Sequence, residues 1–215
     1  MIKMFYIYGK KIVFLHFVMK RIWIAIVKLC GWRFRLPDTD SRPEVMRCVY
    51  AAAPHTAVSD FLIGIAYMWS IGTPGHIFIK KEFFRWPLGS LLRHYGCVPI
   101  DRGNPKNGIV EQAVQGFREH ENYAVILTPE ATRKPVRRWK RGFWEIATRA
   151  GVPIVPVYID FIRKEIGMFD TMWPTSDSAA DMLRLRSLYH KEMAKRPDHF
   201  IEISDLTTTS LDDNK

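Results

Sequence analysis

The stretch APHTAVSD, from Ala53 to Asp60, sets a histidine five positions ahead of an aspartate, just after an apolar run. Five residues on a regular α-helix turn through about 140°, so His55 and Asp60 do not share a face of one continuous helix. They meet if His55 stands in a loop and Asp60 lies in the first turn of the helix that follows. An imidazole accepts and returns a proton near neutral pH. A carboxylate bonded to one ring nitrogen fixes the tautomer and leaves the other nitrogen free as a base. The pair brings no nucleophile with it. Ser59 has no GxSxG surround, and Cys97 sits in an apolar strand context. Such a dyad suits direct attack by a substrate hydroxyl whose proton the enzyme removes. The structural alternative has His55 capping the helix and Asp60 complementing its dipole, and spacing alone leaves both open. A metal role is disfavoured: one His and one Asp supply at most two ligands, HExxH is absent, and the seven histidines are scattered.

Two further charged clusters follow apolar runs. GCVPIDR, Gly96 to Arg102, presents Asp101 and Arg102, as a phosphate grip or as surface ion pairs. TPEATR, Thr128 to Arg133, presents Glu130 and Arg133 beside a turn stiffened by Pro129. From Arg133 to Arg141 there are six basic residues and no acid. A run of that kind is ordinarily a solvated loop, but beside a candidate site it favours anion binding.

The elements that must position these clusters alternate. RCVYAAA reads as a buried strand, DFLIGIAYMWS as a helix, GHIFIK as a strand and KEFFRWPLGSLLRHY as a helix bent or split near Pro87. CVPI is a short strand, Ile109 to Phe117 repeats at helical spacing, and YAVILT is the clearest strand. GFWEIATRAG is a helix closed by Gly151, and PIVPVYI a strand. This alternation predicts a single α/β domain with a largely parallel central sheet flanked by helices. In such sheets ligands bind where strands end, and all three clusters follow strands. Residues 177–195 read as helical and basic.

The chain has 215 residues, of which 47% are hydrophobic, enough for one core. A net charge of +10 favours anionic partners: phosphorylated substrates, acidic lipid surfaces or nucleic acid. Three cysteines without a CxxC argue against a disulfide framework or structural zinc and fit a reducing compartment. Residues 1–36 are apolar but interrupted by lysines and arginines, which disfavours both a simple membrane span and a signal peptide. Lys3, Lys10, Arg21 and Lys28 nonetheless fall in one narrow angular band opposite a broad apolar face. This pattern predicts an amphipathic helix, or a helical hairpin, lying in a membrane interface. RLPDTDSRPE reads as a linker, residues 45–203 as the domain, and 204–215 as a disordered tail.

Taken in order, HTAVSD, GCVPIDR, PEATR and VPIVPV resemble the four ordered blocks of the glycerolipid acyltransferase family, best known from the lysophosphatidic acid (1-acylglycerol-3-phosphate) acyltransferases. The resemblance runs from about Cys48 to Tyr158 and looks closest to a compact bacterial branch. It implies O-acyl transfer from a thioester donor, acyl-CoA or acyl carrier protein, to a lysolipid hydroxyl, with His55 as base and Asp60 orienting it. It implies that Arg102, Glu130, Thr132 and Arg133 hold the acceptor's polar head. Lys80 or Lys81, or backbone amides, would meet the oxyanion. It implies no metal or other cofactor, an anionic membrane surface as partner, and a place at the cytoplasmic face of the inner membrane. An amino-acid lipid is an alternative acceptor. One departure is Ala131, where the family has glycine; that restricts the backbone if φ is positive there. A competing reading is a non-catalytic basic module for anionic membranes or nucleic acid, although no RNP, KH or zinc-finger pattern is present.

Overall fold

The computed structural model describes residues 18–37, 42–73, 75–86, 88–94, 96–100 and 108–206. Lys3, Lys10, Asp101, Arg102 and most of the expected tail lie outside the described residues.

A helix, α1, occupies residues 18–29. The short strand β1 (Arg33–Phe34), helix α2 (Arg42–Met46) and strand β2 (Val49–Ala53) follow. Next come α3 (Val58–Ile71), β3 (Gly75–Lys80), a 3₁₀ turn at Lys81–Phe83, α4 (Leu88–His94) and β4 (Cys97–Ile100). Then come α5 (Ile109–Glu119), β5 (Ala124–Leu127), α6 (Gly142–Ala150), β6 (Ile154–Asp160), β7 (Glu165–Met168) and α7 (Ser178–Arg186). The seven strands form one sheet in the order β1-β7-β6-β2-β5-β3-β4, and every neighbouring pair is parallel except β6 with β7. This is the largely parallel α/β domain expected from the alternation of elements.

Strand alternation sends successive side chains to opposite faces. On one face Tyr50, Ala124, Val155, Val157 and Ile159 pack against Val27 of α1 and Ile63, Ala66 and Tyr67 of α3. On the other, Val49, Ala51, Val125 and Ile154 meet Phe117 of α5, Ile146 and Ala147 of α6, and the aromatic group of Trp139, Tyr189 and Phe200. Arg47 takes three carbonyls at the end of α5, those of Phe117, His120 and Glu121, at 2.7 to 3.1 Å. A helix end leaves those acceptors without intrahelical partners. Gly151 closes α6 in the left-handed region at φ 63°, the conformation that favours glycine.

The sequence reading departs from the structure in four places. KEFFRWPLGSLLRHY is not among them: of its two readings the split one holds, with a 3₁₀ turn and a separate short helix, because a proline biases the residue before it away from helical geometry. Strand β1 stands within the segment read as helical, α2 begins inside the linker, and β7 follows β6 antiparallel, between it and β1. The helix expected over 177–195 ends at Arg186, and 3₁₀ turns follow. Among the described residues, no helix is long and apolar enough to cross a membrane.

Candidate active site

Register brings the site together. Parallel pairing sets Ala51 beside both Leu127 and Pro156, so β2, β5 and β6 end at the same edge of the sheet. The loop after β2 carries His55, and the loop after β5 carries Thr128 to Arg133. They are therefore neighbours, although about 75 residues separate them in sequence.

α3 begins at Val58, which places Asp60 in its first turn. The Asp60 carboxylate is buried. Its Oδ2 accepts the backbone N–H groups of Thr56 and Ala57, both at 2.8 Å, and lies 3.4 Å from His55 Nδ1. The two sequence alternatives thus coincide in one oxygen, which satisfies N–H groups at the helix entrance and faces the imidazole. The separation is slightly beyond the usual hydrogen-bond range, and catalytic contacts in ligand-free sites are commonly long. With Nδ1 turned to the carboxylate, Nε2 is the nitrogen left for a substrate. The imidazole is 22% exposed and the carboxylate 2%.

Glu130 approaches from the other side. Its two carboxylate oxygens accept the backbone N–H of His55 at 3.1 and 2.8 Å. Burial is the main influence on this carboxyl and pushes its pKa up to about 8, against the lowering effect of the His55 N–H and Arg186. Glu130 is turned to the backbone of His55, while its neighbours Ala131, Thr132 and Arg133 line the cavity.

The C-terminal elements brace this loop from behind. Arg196 N–H donates to Thr56 Oγ1 at 3.3 Å, and the Tyr189 hydroxyl donates to Ala51 O at 2.9 Å. The buried Arg186 donates to the carbonyls of Arg137 and Ile201 at 2.7 and 2.6 Å and stacks on Trp139. The basic run is thus anchored at Trp139 while Arg133, Lys134, Arg137, Arg138 and Lys140 remain exposed. Ala131 has φ 56°, the left-handed region that costs a residue with a side chain on the order of 1 kcal/mol.

His55 opens into a cavity of about 750 Å3 between α3 and the sheet. Its polar end holds His55, Asp60, Thr128, Thr132 and Arg133, and the remainder is aliphatic and aromatic, including Phe61, Ile65, Met68, Ile77 and Ile126. In sequence these residues read only as parts of a helix and two strands. One signal pointed otherwise: Gly64 stands inside α3, where glycine costs about 1 kcal/mol relative to alanine. Gly64 lines the cavity, and a Cβ there would meet no atom within 4 Å.

Lys80 ends β3 opposite Ile100, and Lys81 opens the following turn on the exposed surface. Burial raises the Cys97 thiol to about 11 and Cys48 beyond it, so neither is a ready thiolate. Among the described residues, no three His, Cys, Asp or Glu side chains gather as a metal site.

The family model "Acyltransferase" matches residues 33–160, more than half of the chain. A search of curated proteins finds no match. Among solved structures, the 1-acyl-sn-glycerophosphate (LPA) acyltransferase PlsC from Thermotoga maritima is similar with a TM-score of 0.54 and 17% sequence identity, over 83% of each chain. At that identity the likeness is one of fold.

Proposed function

Because this chain belongs to the acyltransferase family, which sets aside a non-catalytic binding module, we propose that it is a glycerolipid O-acyltransferase. It moves a fatty acyl chain from acyl-CoA or acyl carrier protein to a hydroxyl of a lysolipid, 1-acylglycerol-3-phosphate before others. The observation that carries this reading is the His55 and Asp60 pair at the polar end of a cavity whose other walls are apolar. One end suits a headgroup and a reacting hydroxyl, and the rest suits a hydrocarbon chain.

His55 Nε2 removes the proton of the acceptor hydroxyl as the oxygen attacks the thioester carbonyl carbon. The tetrahedral intermediate then collapses, the C–S bond breaks, and the leaving thiolate takes the proton from the imidazolium. Asp60 holds the ring and balances its transient charge, and Glu130 fixes the backbone that carries it. Arg133 and Thr132 orient the acceptor, and Arg102, two positions beyond β4 in sequence, joins them on the anionic head. The oxyanion is met by Lys80, Lys81 or backbone amides. The reaction so written calls on no metal or redox group.

Both substrates carry hydrocarbon chains, which fits a peripheral or monotopic protein at the cytoplasmic face of the inner membrane. α1 supplies the attachment: Met19, Ile22, Ile26 and Leu29 are exposed and fall within about 80° of arc, apart from the flank that packs on the domain. Lysines and arginines on the helix add attraction to anionic lipid.

The test is a panel of lysolipids with labelled acyl thioesters, read by product mass. Wild type yields a singly acylated product, and His55→Ala loses at least about 10³-fold of turnover while its thermal unfolding stays near that of wild type. Full turnover by His55→Ala would refute the base assignment, and no product from any lysolipid would refute the substrate class.

A further inference from the structure

The turn between β3 and α4 exposes apolar side chains where polar ones would be expected. Trp86 is 88% exposed and Phe83 54%, with Leu88 also open. A monomeric soluble surface rarely groups large apolar residues in this way unless they meet a partner or a membrane. Phe83 and Leu88 also line the cavity, so this ridge forms part of its rim. Across the cavity Val58, which is likewise both exposed and cavity-lining, begins the open flank of α3, and Leu62 continues it. That flank borders α1, since Trp23 Nε1 donates to Leu62 O at 3.0 Å and Lys20 stacks on Trp69 of α3. A band of apolar surface therefore joins α1 to the cavity rim through α3. Cations accompany it: Arg85 is exposed within the ridge, and Lys81 begins it.

We propose that the Phe83, Trp86 and Leu88 ridge is a second lipid-inserting element beside α1, sunk into an anionic leaflet so that acyl chains pass from the bilayer into the cavity. The occupant is a leaflet rather than a protein because the apolar surface is continuous with a lipid-sized cavity and with the exposed stripe of α1. Tryptophan suits this position, with its apolar ring below the headgroups and its N–H near them. The inference rests on the lipid-acyltransferase reading and assigns to that reading its entry route.

The test uses the full chain with vesicles of phosphatidylcholine and phosphatidylglycerol. Lipids brominated along the acyl chain should quench wild-type tryptophan fluorescence more than that of Trp86→Phe, the difference being the signal of Trp86 itself. In sedimentation, Trp86→Ser should bind the vesicles about 10-fold more weakly, the effect of losing about 1.4 kcal/mol of apolar burial. The ratio of turnover on vesicle-borne to monomeric short-chain substrate should fall by a similar factor. Equal quenching in wild type and Trp86→Phe, or unchanged vesicle affinity in Trp86→Ser, would overturn the proposal. So would intact vesicle binding with lost affinity for acidic acyl carrier protein, which would make the ridge a protein dock. Quenching and sedimentation need no turnover. A failure of the acyltransferase reading therefore shows only in the product assay, and a failure of the ridge only in these two measurements.

Discussion

The loop that carries His55 and the ridge that carries Trp86 border the same cavity and are built in opposite ways. Around His55 three consecutive backbone N–H groups have carboxyl partners: Asp60 takes those of Thr56 and Ala57, and Glu130 takes that of His55. The C-terminal segment adds Arg196 on Thr56. The ridge, in contrast, offers large apolar side chains to the outside. Proton transfer needs a base held in place before the substrate arrives, whereas entry of a hydrocarbon chain needs a greasy threshold that tolerates many conformers. Rigidity and stickiness are thus divided between two loops instead of being compromised in one.

The sharpest way to break the contrast is at Asp60. Asp60→Ala should abolish turnover and also lower stability by on the order of 3 kcal/mol, because two buried N–H groups lose their acceptor. Asp60→Asn, which keeps one acceptor oxygen, should retain much of the stability but little activity. Denaturant unfolding beside turnover separates the two losses. Equal unfolding midpoints for wild type and Asp60→Ala would show that the loop is not organised by this carboxylate.

Glu130 gives the next effect, and its sign is opposite to that of a salt-bridged acid. Burial raises its pKa to about 8 from the ordinary 4.5, so the folded state holds a proton that the unfolded chain has lost between those values. Stability contributed by this group is therefore present at low pH and is lost as pH rises through that window. Glu130→Gln, which mimics the protonated form and still accepts from His55 N–H, should lack the slope and unfold at higher temperature than wild type above about pH 8. Melting curves across pH 5 to 9 test it, and parallel curves for the two proteins would sink the assignment.

On the lipid side, Gly64→Leu should fill the cavity next to the apolar wall without disturbing α3, since open space lies where its Cβ would go. Competing acyl donors of graded length should show long chains falling about 10-fold relative to short ones, with stability nearly unchanged. An unaltered length preference would mean that the chain runs elsewhere. The smallest effect is expected at Ala131. Ala131→Gly relieves its positive φ and should raise stability by up to about 1 kcal/mol, reduced by the extra freedom glycine has in the unfolded chain.

How much could be seen beforehand follows from where the information lies. β2, β5 and β6 are buried on both faces, and such strands write themselves as unbroken apolar runs. The spacing of His55 and Asp60 could be read because a helix start between them is a local event. β1, two residues long, and β7, which contains Gly167, carry no pattern of their own and exist through pairing with their neighbours. The cavity was hidden for a related reason: Ile65, Met68, Ile77 and Ile126 are as apolar as core residues, and only their distance from one another distinguishes a wall from a filling. The burial of Glu130 could not be read either, because a sequence shows charge but not the roof over it.

β1 has one more implication. Its pairing with β7, the Cys30 carbonyl held by Lys164 at 3.1 Å and Trp32 set edge-on to Phe161 weld the end of α1 to the border of the sheet. A helix attached this stiffly behaves like a keel: it cannot roll without rolling the hull. On the proposed leaflet, the draught at which the molecule floats, and with it the height of the imidazole above the waterline, would be set by the angle of that single weld, so loosening the joint would uncouple mooring from catalysis without touching either.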